Sequence, residues 1–103
     1  MKLKKTARKF AIGEFTDRYN QKCSIQKSSL ATEDCIWLGV DDACPKIKID
    51  DAIKVGMKPD TDSGWCPYPI PSEVLLSTRM HLTRTQVKKL LPLLQKFVKT
   101  GEL

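Results

Sequence analysis

The sequence has a single histidine, and none of its four cysteines lies close to another. Structural zinc sites use closely spaced pairs of cysteine and histidine, because a short loop must aim two ligands at one ion. No metal site is therefore expected. A disulfide framework is also not expected, because we place the protein in a reducing compartment. The cysteines are predicted to be free thiols, buried or half-buried: Cys23, Cys35, Cys44 and Cys66.

The common catalytic and cofactor-binding motifs are also missing. The chain contains no G-x-G-x-x-G, no P-loop and no H-E-x-x-H. One histidine and scattered cysteines permit a Cys–His pair, but no spacing marks a nucleophile. We expect a protein that is not an enzyme and uses no cofactor. An enzyme acting on a nucleotide stays open as an alternative.

No apolar run approaches the roughly 20 residues that a membrane helix needs. The N-terminal MKLKKTARK is followed by only three apolar residues, whereas a signal peptide needs about 7–15 there. We therefore expect a cytoplasmic protein with no membrane partner. At 103 residues and 41% hydrophobic composition, the chain suits one small folded domain.

Acidic residues are scarce at both ends of the chain, which carries a formal net charge of +6. Residues 1–9 are predicted to form a basic N-terminal arm, and residues 84–100 contain five cations and no acid. Such basic ends suit phosphates, on nucleic acid or on small nucleotides, but a solvated helix face has the same composition. Nucleic-acid binding is therefore kept as a possibility.

The remaining residues, 10–103, are predicted to form a single α+β domain. Residues 15–29 indicate a hairpin with its turn at Asn20-Gln21, and the apolar run CIWLGV indicates a buried strand. Residues 41–73 include most of the prolines, which remove strand hydrogen bonds, and are predicted to be a long irregular loop. The expected fold is a small antiparallel sheet packed against a C-terminal amphipathic helix.

The helix has clear start and stop signals. Thr83 and Gln86 have the spacing of a capping box, and Gly101 is a suitable C-terminal stop. Apolar residues between them recur at helical spacing. Pro92 lies well inside this pattern and predicts a kink rather than two helices.

Arg79 and His81 are the first candidate site residues. In the stretch VLLSTRMHL, residues 74–82, alternation predicts a strand with Met80 and Leu82 on the core face and Arg79 and His81 on the other. A helix N-terminus follows, and its free N–H groups together with an arginine fork suit an anion. The alternative is an ordinary solvated strand face.

Polar and aromatic candidates lie elsewhere in the chain. Gln26, Ser28 and Ser29 are compact hydrogen-bonding groups that suit a ribose or base edge, although local turn bonding explains them equally well. Trp65, in the Gly/Pro-rich segment, is the better candidate for stacking on a ligand. Trp37 lies within an apolar run and is assigned to the core.

Three stretches together resemble small phage and prophage proteins: CSIQKSSLATEDCIWLG, YPIPSEVLLSTRMHLTRTQV and LLPLLQKFVKTGEL. The resemblance covers residues 15–40 and 66–103 and is strongest to the phage Thoeris anti-defence sponges of the first type. Members of that family sequester, without cleaving them, the cyclic ADP-ribose isomers that bacterial TIR enzymes make as an alarm signal. They form oligomers with pockets between protomers, and can hold cyclic oligonucleotides at a separate site.

The resemblance implies a protein of the infected bacterial host's cytoplasm that binds a cyclic nucleotide as a homo-oligomer, a dimer or higher. It implies that Arg79 meets phosphate, whereas Gln26, Ser28 and Ser29 match the pattern without assigned contacts. A small basic nucleic-acid-binding phage accessory protein is the alternative function. Residues 41–65 have no counterpart in the resemblance.

Overall fold

A computed structural model describes residues 1–103, which form two compact units. The first unit comprises residues 1–41 and 78–103, and the second comprises residues 42–77. The elements in chain order are β1 (Leu3–Lys5), β2 (Ala11–Thr16), β3 (Lys22–Lys27), β4 (Cys35–Val40), β5 (Lys46–Lys48), α1 (Ile49–Lys54), β6 (Trp65–Pro67), β7 (Arg79–Thr83) and α2 (Arg84–Thr100).

The first unit is a five-stranded antiparallel sheet in the order β1-β2-β3-β4-β7, followed directly by α2. The predicted α+β class, with an antiparallel sheet and a C-terminal helix, is confirmed. The hairpin is present between β2 and β3. Asn20 adopts a left-handed φ of 62° there, and Asp17 accepts hydrogen bonds from the backbone N–H groups of Tyr19 and Gln21.

The alternation of strand residues gives the sheet two chemically different faces. One face, called here the polar face, carries Ser24, Gln26, Trp37, Arg79 and His81. The other, called the apolar face, carries Ile25, Ile36, Leu38, Met80 and Leu82. The strand pairing therefore places Arg79 and His81 on one face of the sheet, as the alternation predicts. Met80 and Leu82 lie on the other face.

The strand predicted over residues 74–82 is shorter than expected. It begins at Arg79, because its only partner is β4 and the pairing ends where Arg79 lies opposite Gly39. Residues before it instead form a turn, in which the N–H of Val74 bonds to the carbonyl of Pro71.

Two segments predicted as a basic arm and as an irregular loop contain regular structure. Within the basic arm of residues 1–9, Leu3–Lys5 forms β1 and pairs with β2. Within residues 41–73, β5 and β6 pair antiparallel, and α1 follows β5. This second unit buries Ile49 and Ala52, so it has a small apolar centre of its own.

Helix α2 begins and ends as the sequence predicts. Thr83 is the N-cap of a complete capping box with Gln86, and Gly101 ends the helix at a left-handed φ of 77°. Pro92 lies inside one continuous helix. None of the residues of α2 is buried, so its apolar side is exposed in the single chain. Neither helix combines the length and hydrophobicity needed to cross a bilayer.

The four cysteines differ in exposure: Cys23 and Cys35 are buried, Cys66 is half-buried and Cys44 is exposed. The prediction of a buried or half-buried thiol is therefore wrong at Cys44, which precedes β5 in the second unit. Burial raises the pKa of the Cys23 thiol, and the carboxylate of Asp17 adds to the rise. Burial likewise raises the pKa of Cys35.

Alkylation of the native protein at mildly alkaline pH should therefore label Cys44 first and leave Cys23 and Cys35 unmodified, because a buried thiol with a raised pKa is rarely a thiolate. Peptide mass spectrometry after timed iodoacetamide exposure measures the order. In urea all four should react at similar rates. Equal labelling of Cys35 and Cys44 in the folded protein would contradict the structure.

Candidate functional site

The candidate site is a cluster on the polar face, where the edge strand β7 lies beside β4. Gly39 of β4 lies opposite Arg79, and Trp37 lies opposite His81. On the other side of β4, Ser24 and Gln26 of β3 lie opposite Gly39 and Trp37. Three strands thus bring together side chains that are more than 50 residues apart in the chain.

Two side chains of β3 hold the guanidinium of Arg79. Its Nη1 donates to Gln26 Oε1 at 2.8 Å and to Ser24 Oγ at 3.3 Å. Ser24 is buried and donates in turn to Asp41 Oδ1 at 2.6 Å. The Nη2 and Nε groups make no hydrogen bond within the protein, so three N–H donors of a half-buried, positioned arginine remain free.

His81 stacks on Trp37. The two rings lie parallel within 7°, with their centroids 3.9 Å apart. The His81 Nε2 lies 2.9 Å from the hydroxyl of Ser28, which is buried and also accepts from the N–H of Leu30. The guanidinium of Arg79 lies 5.5 Å from the Trp37 ring centroid, within cation–π range. Trp37 is therefore the centre of the cluster rather than a core residue.

Gly39 allows β4 and β7 to approach at Arg79. Its φ of 148° is one that side chains rarely adopt, and a β-carbon there would lie 2.8 Å from the carbonyl oxygen of Thr78 and 3.0 Å from Arg79 Cα. Sequence patterns did not point to Gly39, and they assigned Trp37 to the core. The signal was the occurrence of an aromatic residue and a glycine two positions apart in β4, and only the pairing with β7 shows that they face Arg79 and His81.

The other candidates from sequence fall in different places. Gln26 and Ser28 lie in the cluster, whereas Ser29 is exposed in the loop after β3 and makes no side-chain hydrogen bond. Trp65 belongs to the second unit, where it is 60% exposed and has Lys48 Nζ 5.6 Å from its ring centroid. It remains a candidate for stacking within that unit.

The N-terminus of α2 is less suited to an anion than the sequence suggested. A cleft of about 500 Å³ lies there, but it is lined by Glu33 and Asp34 as well as by Thr83, Arg84 and Thr85. A hydrogen bond from Lys27 lowers the pKa of Asp34, so this carboxylate is ionised at neutral pH. Two carboxylates at this end of the helix disfavour phosphate, which leaves Arg79 as the better anion site.

Substituting Gly39 with alanine should lower the free energy of unfolding by about 1–3 kcal/mol, because the new methyl group strains the backbone and pushes against β7. Urea denaturation measures the change. Gly56→Ala is the matched control, since Gly56 also has a left-handed φ, 86°, but has open space at its β-carbon. Equal losses in the two variants would show that close approach to Arg79 contributes nothing.

Comparisons of the chain with protein-family models, curated proteins and solved structures found no match. The functional interpretation therefore depends on the chemistry of the polar face. That face offers a positioned guanidinium beside a stacked pair of aromatic rings.

Proposed function

We propose that this protein is a phage-encoded immune-evasion protein that binds a cyclic nucleotide signal, a cyclic ADP-ribose isomer, and sequesters it without cleaving it. The observation that carries the proposal is the position of Arg79, whose free N–H donors lie beside the Trp37–His81 stack. The resemblance of residues 15–40 and 66–103 to anti-defence sponges selects this ligand class among phosphate-bearing molecules. Cyclic oligonucleotides share the same phosphate and base chemistry.

The guanidinium is suited to a phosphate of such a ligand. A planar fork of donors matches phosphate oxygens, and a charge-assisted bond is about twice as strong as a neutral one. Gln26 and Ser24 occupy only Nη1, so they orient the fork without consuming it. Because these partners fix the arginine side chain in advance, binding costs less rotamer entropy.

The aromatic pair suits the base. His81 is exposed at the edge strand and already lies parallel to Trp37, so a purine can extend the stack at low cost in ordering. The hydroxyl of Ser28 holds the ring of His81 through a hydrogen bond at its Nε2. Phosphate and base contacts would therefore come from Arg79 and His81, which lie two residues apart on the same face of β7.

The contacts of these groups favour binding over catalysis. The Nε2 of His81 is bonded to the buried hydroxyl of Ser28. Its Nδ1 has no bond to a carboxylate of the kind that orients the histidine of a Ser–His–Asp triad. The buried cysteines Cys23 and Cys35 have raised pKa values, which make poor nucleophiles. These features support a protein that holds its ligand intact.

Replacing Arg79 with alanine should weaken binding of a cyclic ADP-ribose isomer roughly tenfold to a hundredfold, because one charge-assisted bond to phosphate is removed. Isothermal titration calorimetry measures the affinity. Arg18→Ala is the control, because Arg18 is exposed in the β2–β3 turn and its removal changes the net charge equally.

Two results would count against this function. The first is the absence of binding by the folded wild-type protein at high micromolar ligand concentration. The second is equal affinity of the Arg79→Ala and Arg18→Ala variants, which would remove Arg79 from the site. Mass spectrometry of the small molecules released on denaturation would show whether the ligand is recovered intact.

Nucleic-acid binding is the second candidate, and helix α2 is the observation that favours it. Its cations fall within one half of the helix circumference at 3.6 residues per turn, and no acid lies among them; they are Arg84, Lys88, Lys89, Lys96 and Lys99. Such a row of charges suits the phosphates of a duplex without reading its sequence.

If α2 binds DNA, affinity for unrelated duplexes should fall steeply with salt, because each neutralised phosphate releases counterions. Fluorescence anisotropy at several salt concentrations gives the slope. Replacing Lys88, Lys96 and Lys99 with glutamine should reduce that slope by about 1 for each lysine that meets a phosphate. A salt-independent affinity, or a slope that the triple variant leaves unchanged, would argue against this candidate.

A further inference from the structure

A groove lies between the apolar face of the sheet and the first turns of α2. Its volume is about 380 Å³, within the roughly 300–1,000 Å³ that small-molecule sites occupy in proteins. The sheet contributes Ile36 and Leu82 to its walls, and the helix contributes Val87 and Leu91. The buried thiol of Cys35 also lines it. The groove therefore has the size and the apolar lining of a small-molecule site.

Strand register and helix geometry place these walls. Ile36 of β4 lies opposite Leu82 of β7, so the two aliphatic side chains stand side by side on the apolar face. Helix α2 begins directly after β7, with Thr83 as its N-cap. Val87 and Leu91 are four residues apart, so they lie one turn from each other on the same side of the helix. Each wall is thus a pair of neighbours held by regular backbone structure.

Charged side chains also line this groove, and most of them are cations. Lys27 of β3 lies opposite Ile36, so its side chain starts from the apolar face. Arg84 and Lys88 are one turn apart on α2. Asp34 is the one carboxylate, and it is paired with Lys27 at 3.1 Å. Three cations and one carboxylate leave the groove with an excess of positive charge.

The two cations of the helix are the ones available to a ligand. The ammonium group of Lys88 makes no hydrogen bond or ion pair within the protein, and neither does the guanidinium of Arg84. Lys27, by contrast, is engaged by Asp34. Lys88 also differs from Lys96 in its surroundings, because only Lys88 lies beside the apolar walls. Its charge is therefore placed next to a surface that favours apolar groups.

We propose that this groove binds a small anionic amphiphile, a molecule with an apolar body and one carboxylate or similar anionic group. The body would lie between Ile36 and Leu91, where its burial removes apolar surface from water. The anionic group would meet Lys88 and Arg84, where charge-assisted hydrogen bonds set its orientation. A free molecule fits better than a membrane, because a flat bilayer cannot enter between two facing walls.

This site is separate from the cluster on the polar face and goes beyond the proposed function. Leu82 and His81 are neighbours in β7, and alternation puts their side chains on opposite faces of the sheet. A ligand in the groove therefore leaves Arg79 and the Trp37–His81 stack uncovered. The Arg79→Ala variant should keep its affinity for an amphiphile, so the two proposals can fail separately.

Two ligands with the same chain and opposite charges test the proposal. Decanoate and decylammonium would be titrated into the full chain, below the concentrations at which they form micelles, while methyl signals are followed by NMR. Decanoate should shift the methyl signals that line the groove, which are those of Ile36, Leu82, Val87 and Leu91. Decylammonium should bind at least about fivefold more weakly, because attraction to Lys88 becomes repulsion.

Three results would overturn the proposal. The first is the absence of decanoate binding by the folded protein, or shifts confined to residues outside the groove. The second is equal affinity for decanoate and decylammonium. The third is a shift of the same methyl signals by vesicles of anionic lipid but not by decanoate, which would make a membrane the occupant.

Two pairs of matched variants locate the site. Leu91→Ala should weaken decanoate binding about threefold to tenfold, whereas Leu93→Ala should leave it unchanged. Both leucines are 48% exposed on α2, but only Leu91 lines the groove. Lys88→Gln should weaken binding about twofold to fivefold, whereas Lys96→Gln removes an equal charge outside the groove and should have little effect.

The lysine pair keeps the test decisive if Leu91→Ala lowers stability, because Lys88 is exposed and its loss leaves the packing intact. Circular dichroism of each variant checks that the fold is retained. Equal losses of affinity in Lys88→Gln and Lys96→Gln would remove the groove as the binding site.

Discussion

The pairing of β7 with β4 is the interaction on which the rest of the site depends. It joins the C-terminal segment to the N-terminal hairpin and aligns Arg79 with Gly39 and His81 with Trp37. Without it, the arginine and histidine would lie on a free strand with no partner for either side chain. The close approach at Gly39 makes this pairing sensitive to a single methyl group.

The same pairing gives the two faces of the sheet different kinds of side chain. Side chains alternate across the strands, so one register puts the hydrogen-bonded cluster on one face and the aliphatic residues on the other. A slip by one residue would exchange Arg79 for Met80 on the polar face. The buried hydroxyls of Ser24 and Ser28 oppose such a slip, because each would lose its hydrogen bond to a side chain of β7.

The apolar face and α2 raise a different physical problem. Only four apolar side chains of this chain are buried, and none of them belongs to α2. A chain of this size has little apolar surface to spare, so the packing of α2 beside the sheet leaves much of its apolar side in contact with solvent.

Local features of the sequence determined the hairpin turn, the capping box at Thr83, the stop at Gly101 and the opposite orientation of Arg79 and Met80. These depend on residues a few positions apart, whose backbone preferences act whatever the rest of the chain does. The choice of Trp37 as the ring stacked on His81, the start of β7 at Arg79 and the strands within residues 42–77 came only from the tertiary structure. Each of these is set by pairing between distant segments, and alternation within one segment cannot show which partner it will meet.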